Sequence, residues 1–212
     1  MSFLWKNRGE PNKLVGTITP QERDYNAMQH ETTQMSSGLP YRNSVGLCIF
    51  NADGLVLCAE RRDRRGAWQM PQGGIQKGED PALAVFREMK EEVGTDNARI
   101  IAKHPDKLRY EFPDYMQYRN GVFHGKYRGQ EQSWFALIYD GCDTDICLTN
   151  EFESEQPEFV AWRWVELAET PSLIVDFKRP VYDALVSAFA PLAQRIARRE
   201  EIPVWVAGPV SA

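Results

Sequence analysis

The chain has 212 residues and a mass of 24.3 kDa, with 42% hydrophobic and 26% charged residues; this excludes a disordered, collagen-like or disulfide-scaffold protein and allows a core of ordinary size. Its 25 Lys and Arg against 30 Asp and Glu give a net charge of −5, so the whole molecule is no basic nucleic-acid binder and meets any anionic ligand through a local basic patch or a metal. No run approaches the roughly 20 apolar residues that a membrane-spanning helix needs.

Residues 1–40 are polar and weakly periodic and end in Ser36–Ser37–Gly38–Leu39–Pro40. They read as a partly ordered N-terminal extension. They lack the apolar core of a secretory signal. Lys6, Arg8 and Lys13 against Glu10 leave a mitochondrial presequence as the alternative to the cytoplasmic location expected here.

The pattern sharpens over residues 41–195, read as one domain. Val45–Phe50 and Leu55–Glu60 flank Asn51–Ala52–Asp53–Gly54, a hairpin signal with Asp-Gly supplying the turn. A Gly- and Arg-rich stretch follows, from Arg61 to Gly74. Asp80–Pro81 then predicts a helix start, since Asp is a good N-cap and Pro suits the first helical position. Gly94 predicts its end. Further strands are expected at Arg99–Lys103, Leu108–Phe112, Trp134–Tyr139 and Phe159–Val165, and a second helix from Pro180 to about Ala193. Residues 196–212 read as a tail, loose from Arg198 onward. Cys48 and Cys58 fall inside apolar runs and read as buried reduced thiols, which suits a reducing compartment. Strands, a helix, more strands and a last helix imply an α/β layered domain.

The chemistry concentrates between Gly73 and Gly94. Glu88, Glu91 and Glu92 stand at i, i+3 and i+4 and span an arc of about 100° on the helix. Ala82, Leu83, Phe86, Met89 and Val93 are expected on the opposite, core face. Like charges at this spacing destabilise a helix by a few tenths of a kcal/mol per pair. A solvated acidic face, with Arg87 and Lys90 as salt partners, is the bland alternative. Pro71–Gln72–Gly73–Gly74 changes the weighing: glycines permit close backbone approach, and a carbonyl from this turn can join the carboxylates as an oxygen ligand. Such clustered oxygens suit a hard cation, Mg²⁺ or Mn²⁺.

Gly73, Glu79 and Arg87–Glu88–Met89–Lys90–Glu91–Glu92–Val93–Gly94 resemble the Nudix box, Gly-x5-Glu-x7-Arg-Glu-aliphatic-x-Glu-Glu-x-Gly-aliphatic. Thr95 is the one departure, standing where an aliphatic residue is usual. The resemblance implies an α/β/α sandwich around a mixed β-sheet. It also implies a divalent-metal hydrolase of nucleoside diphosphates linked to another group. Carried over, Glu88, Glu91 and Glu92 resemble the metal-binding carboxylates, the Gly73 carbonyl completes the coordination, and Glu79 with Arg87 resembles the pair that braces the loop.

Beyond the box, Tyr41–Arg42, Trp68–Gln69–Met70–Pro71–Gln72–Gly73–Gly74, Gly129–Gln130–Glu131–Gln132, Trp162–Arg163–Trp164–Val165 and Phe177–Lys178–Arg179–Pro180–Val181–Tyr182 are similar to one Nudix subgroup. It holds asymmetric dinucleoside polyphosphate hydrolases and bacterial RNA 5′-pyrophosphohydrolases. The resemblance puts first the cleavage of diadenosine tetraphosphate to ATP and AMP. Conversion of 5′-triphosphate RNA ends to monophosphate is the alternative, and a nucleotide- or RNA-binding module without turnover is a third. Arg42, Arg62, Tyr110 and Gln132 resemble substrate-contacting positions; Val175, Phe177 and Lys178 resemble a base-binding patch. Phe177 is expected to stack on a base, with Arg62 on its other face. Glu158 resembles an extra carboxylate that assists metal binding or proton removal, so Glu92 and Glu158 compete for the role of base.

Residues 103–130 carry six Lys or Arg against three acids and six Tyr or Phe, a candidate patch for stacked bases, with Phe112 assigned to the core. Two departures touch substrate preference. Ser133 follows Gln132 where the subgroup usually has Lys, with Lys126 or Arg128 as substitutes, and Tyr-Arg-Asn-Ser-Val replaces Tyr-Arg-Pro-Asn-Val. The implied partners are a small nucleoside polyphosphate or an RNA end, with no membrane and no obligatory protein.

Overall fold

Strand β1 (Tyr41–Phe50) is buried from Ser44 to Phe50, because both faces of the sheet it belongs to are covered. A computed structural model describes residues 38–113, 125–148, 157–202 and 205–206. Along β1, Val45, Leu47 and Ile49 enter one apolar cluster and Cys48 and Phe50 the other, the two-residue alternation of a strand buried on both sides. Its neighbours are β2 (Val56–Arg61), β4 (Gln72–Gly74) and β7 (Gly129–Tyr139). β7 runs parallel to β1 from Tyr41↔Gly129 to Phe50↔Ile138, whereas β2 and β4 are antiparallel to it. With β3 (Trp68–Gln69), β5 (Ala98–Lys103), β6 (Leu108–Glu111) and β8 (Phe159–Val165), the described residues form one mixed eight-stranded sheet.

Helix α1 (Pro81–Val93) covers one face through Ala84, Val85, Met89 and Val93. After a one-turn helix, α2 (Thr170–Leu173), helix α3 (Arg179–Ala197) covers the other through Val181, Tyr182, Leu185, Phe189 and Ile196. This is the α/β/α arrangement expected from the sequence. Six strands lie where the apolar runs predicted them, within about five residues at their ends, whereas β3 and β4 fall in the Arg61–Gly74 stretch, where the sequence predicted no strand. The β1–β2 turn is built on Asn51, whose Oδ1 accepts from the backbone of Asp53 and Leu55 at 3.0 Å each. Cys48 and Cys58 are buried thiols, and the burial pushes Cys58 up to about 12.

The caps of α1 agree with the sequence. Asp80 accepts from the Ala82 backbone at 2.7 Å, and Gly94 closes the helix at φ 83°. Its faces agree only in part: Met89 and Val93 are buried, and Ala82 and Phe86 pack against the same cluster. Leu83, expected in the core, is 67% exposed, while Glu88 is buried. At 100° per residue Glu88 and Glu92 lie beside the Val85–Met89 stripe, along one edge of it, and do not oppose it. The carboxylates therefore sit at the rim of the buried face, against the sheet. The C-terminal expectation also needs correction: α3 runs to Ala197, and beyond it the Trp205 ring packs edge-on against Phe135 at 5.9 Å. Ile202 lies against the α3-side cluster. Two apolar side chains give that part of the tail something to bury.

Candidate active site

Strand β4 places Gly73 opposite Val45 and Gly74 opposite Ser44 on β1, and α1 rises directly over it. The two glycines have a steric cause. A Cβ built on Gly73 would fall inside the Glu88 carboxyl group, and one on Gly74 would overlap the Arg42 guanidinium. An acid from α1 and a base from β1 are thus laid on bare backbone, side by side.

Arg87 fastens the loop between β4 and α1. Its guanidinium donates to Glu79 at 2.7 and 2.8 Å, to the Gly74 carbonyl at 2.7 Å, to Glu88 at 2.8 Å and to Glu91 at 3.1 Å. A planar fork with five donors is suited to this. Glu79 also receives the Gln76 backbone N–H at 2.8 Å. The Arg87 guanidinium is the chief cause that holds the Glu79 carboxyl down at about 2, from an ordinary 4.5. This depressed value fixes the sign of an acid limb. The Glu79–Arg87 contribution to stability is present above about pH 4.5 and is lost as pH falls through about 2. Melting temperature measured across that window is expected to fall less steeply in Arg87→Ala than in the unmodified chain. Parallel curves would sink the assignment.

The carboxylates divide into two groups. Glu88 and Glu91 are drawn to Arg87. Glu92, half-buried, accepts the Gln72 backbone N–H at 2.9 Å and faces Glu158. Burial, then the negative charges of Glu158 and Glu88, push the Glu92 carboxyl well above the usual range; burial also raises Glu88. Among the described residues no three His, Cys, Asp or Glu side chains converge as a ready-made ligand shell. The donor chemistry nevertheless fits a hard divalent cation. Crowded carboxylate oxygens beside the Gly73 backbone, of which Glu88 and Glu91 now lean on Arg87, carry negative charge that such a cation would offset.

Beneath these acids lies a buried polar layer whose members the motifs contain but whose assembly into one network they do not reveal. Gln132 donates to the Gln72 Oε1 at 3.1 Å and accepts from the Trp134 indole at 3.2 Å. Gln130 accepts from Ser44 at 3.1 Å. Lys178 donates to the side-chain oxygens of Gln69 at 3.2 Å and Gln72 at 3.3 Å. Burial, with the nearby Arg61 charge, lowers the Lys178 ammonium to about 7. The signal that could have found this layer is polar residues inside otherwise apolar strands, which a period-two pattern leaves unexplained.

The remaining predicted residues fall around this layer. Tyr110 is buried, with Lys178 5.1 Å above its ring and Phe177 tilted against it at 5.6 Å. Val175 and Phe177 are partly buried beside it. Gln132 is 1% exposed, so its reach toward the groove runs through Gln72. Arg62 is exposed, its guanidinium donating to the Pro157 carbonyl at 2.7 Å and its backbone N–H to the Glu158 carbonyl at 2.8 Å. Phe112 lies in the core. Of the six basic residues over 103–130, Lys107 and Arg109 pair with Glu131 and Arg128 pairs with Glu111, while Arg119 lies outside the described residues. Tyr115, Tyr118 and Phe123 lie outside the described residues. Ser133 is buried in β7.

Comparison with known proteins gives a consistent result. The NUDIX domain pattern matches residues 40–185. The chain is 46% identical over 158 residues to an RNA pyrophosphohydrolase of Rhodospirillum rubrum, covering 74% of this chain and 92% of that protein. It is 43% identical over 151 residues to the chloroplastic Nudix hydrolase 26 of Arabidopsis thaliana, covering 71% and 69%. The structure of the E. coli dihydroneopterin triphosphate pyrophosphohydrolase is similar at TM-score 0.50 and 24% identity over 70% of this chain and 99% of that one, a likeness of fold.

Proposed function

The chain belongs to the Nudix family, and we propose on that premise that it is an RNA pyrophosphohydrolase, converting 5′-triphosphate RNA ends to monophosphate with release of pyrophosphate. The observation that carries this reading is the similarity to an RNA pyrophosphohydrolase over almost that protein's whole length. The NUDIX match over residues 40–185 includes the box, the glutamine layer and Glu158. Cleavage of diadenosine tetraphosphate, which the sequence motifs put first, becomes the second reading. The phosphate chemistry is shared, but the relatives 43–46% identical that are named for a substrate favour RNA. A binding module without turnover loses ground because the carboxylates and Arg87 are all retained.

The groove has parts for the reaction. Glu88, Glu91, Glu92 and Glu158, with the Gly73 carbonyl, would hold a divalent cation, Mg²⁺ with Mn²⁺ as substitute. When bound, such an ion neutralises phosphate charge and acidifies water. The protein's own task is placement and proton removal. Arg42, laid on Gly74, presents a guanidinium beside Glu88 to the phosphate chain. Glu92 or Glu158 takes the proton of the attacking water, the oxygen of which forms the new bond to phosphorus while the pyrophosphate leaves. Tyr110, Val175, Phe177 and Lys178 line the neighbouring patch, suited to a base beyond the phosphates, with Arg62 near its rim.

With Mg²⁺ present, kcat/KM on a 5′-triphosphorylated RNA oligonucleotide is expected to exceed that on diadenosine tetraphosphate by at least about tenfold, or about 1.4 kcal/mol of transition-state discrimination. Chromatography of the products checks it. The reverse order would restore the dinucleoside reading, and inertness toward both would remove the assignment.

A further inference from the structure

Gln69 is fully buried, yet every polar atom of its side chain meets a charged group. It stands on β3, paired with Ala59 of β2. Its Oε1 accepts from Arg61 at 3.3 Å and from Lys178 at 3.2 Å, and its Nε2 donates to Glu158 at 3.4 Å. Arg61 approaches the same Glu158 oxygen at 3.9 Å while its other edge grips Asp63. One amide therefore joins two cations and one acid that arrive from β2, from the turn before α3 and from the segment ahead of β8.

Only an amide can fill this place. It accepts from cations with one atom and donates to a carboxylate with the other. A carboxylate at position 69 would satisfy Arg61 and Lys178 but repel Glu158. An apolar side chain would take an acceptor from buried Lys178 and half-buried Arg61, where that is costly, and would release the half-exposed Glu158 carboxyl from its tie to the sheet. Lys178 also reaches Gln72, whose backbone N–H holds Glu92. The two facing carboxylates are thus reached from one side by the Gln69 amide and from the other by the Gln72 backbone.

We propose that Gln69 is a positioning residue for hydrolysis: its amide holds the Glu158 carboxyl toward Glu92 and keeps Arg61 and Lys178 beside it. This rests on the proposed function, in which Glu158 and Glu92 serve one reaction, and adds a residue that touches neither water nor phosphate.

The test is a double-mutant cycle on the full chain with triphosphorylated RNA and Mg²⁺, using Gln69→Met, Glu158→Ala and the pair. Gln69→Met is expected to lower kcat about tenfold, within the span usual for residues that orient a metal site, with KM changed less than about threefold. Gln69→Glu, equal in size and still an acceptor, does not rescue it. In the Glu158→Ala background, Gln69→Met costs less than about twofold. Mn²⁺ binding, followed by paramagnetic resonance, weakens several-fold in Gln69→Met. If Gln69→Met fails to fold, Gln69→Asn replaces it in the cycle, keeping the amide but withdrawing it by one methylene. Losses that multiply in the double variant, or Gln69→Met turnover and Mn²⁺ affinity equal to the unmodified chain, overturn the role of Gln69. An unmodified chain that leaves RNA and diadenosine tetraphosphate intact overturns the underlying function as well.

Discussion

Glu92→Gln is expected to remove turnover, by about 10³-fold for loss of a group that handles the proton, while the protein still folds. In metal-free buffer it should melt at least as high as the unmodified chain. The amide has the shape of the acid and can still accept the Gln72 N–H that now bonds the carboxylate at 2.9 Å. What it removes is charge. The Glu92 carboxyl lies well above the usual range, from burial first and from Glu158 and Glu88 next. A carboxyl with a folded pKa above its unfolded value binds more protons when folded. Its effect is most favourable below the unfolded pKa, and stability declines as pH rises through the folded one. Glutamine has no such decline, so the advantage of the variant in melting temperature should widen with rising pH. Melting curves in chelator at several pH values, set beside kcat on triphosphorylated RNA, check both halves. Wild-type-like turnover would remove Glu92 from the chemistry, and a variant that melts far lower at every pH would show that its role is packing.

Gly73→Ala should act almost as strongly by a different route. The added methyl would enter the space of the Glu88 carboxyl group. Gly73 is held in register against Val45, so the backbone cannot yield freely and the acid must. Displacing Glu88 also strains its 2.8 Å bond with Arg87, which ties the loop to α1. A loss in kcat/KM of about 10²-fold is expected for displaced reacting geometry, with destabilisation of about 1–3 kcal/mol from overpacking. Placing the same change in a Glu88→Ala background separates the causes. The overlap then has no partner, and the destabilisation from Gly73→Ala should largely vanish. If it persists, the strain lies in the backbone and not between these two residues.

Several features of the site are legible in the amino-acid sequence. The spacing from Gly73 to Gly94 marks a helix with acids at i, i+3 and i+4, Asp80–Pro81 and Gly94 mark its ends, and Glu158 stands out by resemblance. These are local signals: a cap is a choice made by one or two residues, and helical spacing places side chains within one turn of each other. The resemblance also names the reaction class, although it orders the two substrates differently from the similar proteins.

The direction in which α1 faces is another matter. Helical periodicity puts Glu88, Glu91 and Glu92 on one arc, but Leu83 looks as apolar as Val85 and Met89. Only the sheet beneath α1 decides that Val85 and Met89 go down, that Glu88 goes with them, and that Leu83 meets water. Likewise Gln69, Gln72, Gln130 and Gln132 appear in sequence as polar residues in apolar surroundings. Their partners are distant in the chain: Lys178 is 109 residues from Gln69 and 106 from Gln72. Sequence by itself determined the box helix, its charge and the reaction class, because each depends on neighbours within a few residues or on a contiguous motif. The tertiary structure alone decided which acids are buried, which cation stands over which amide, and why Gly73 and Gly74 are bare. Burial and hydrogen-bond partnership depend on strands and helices that meet only after the chain has closed on itself.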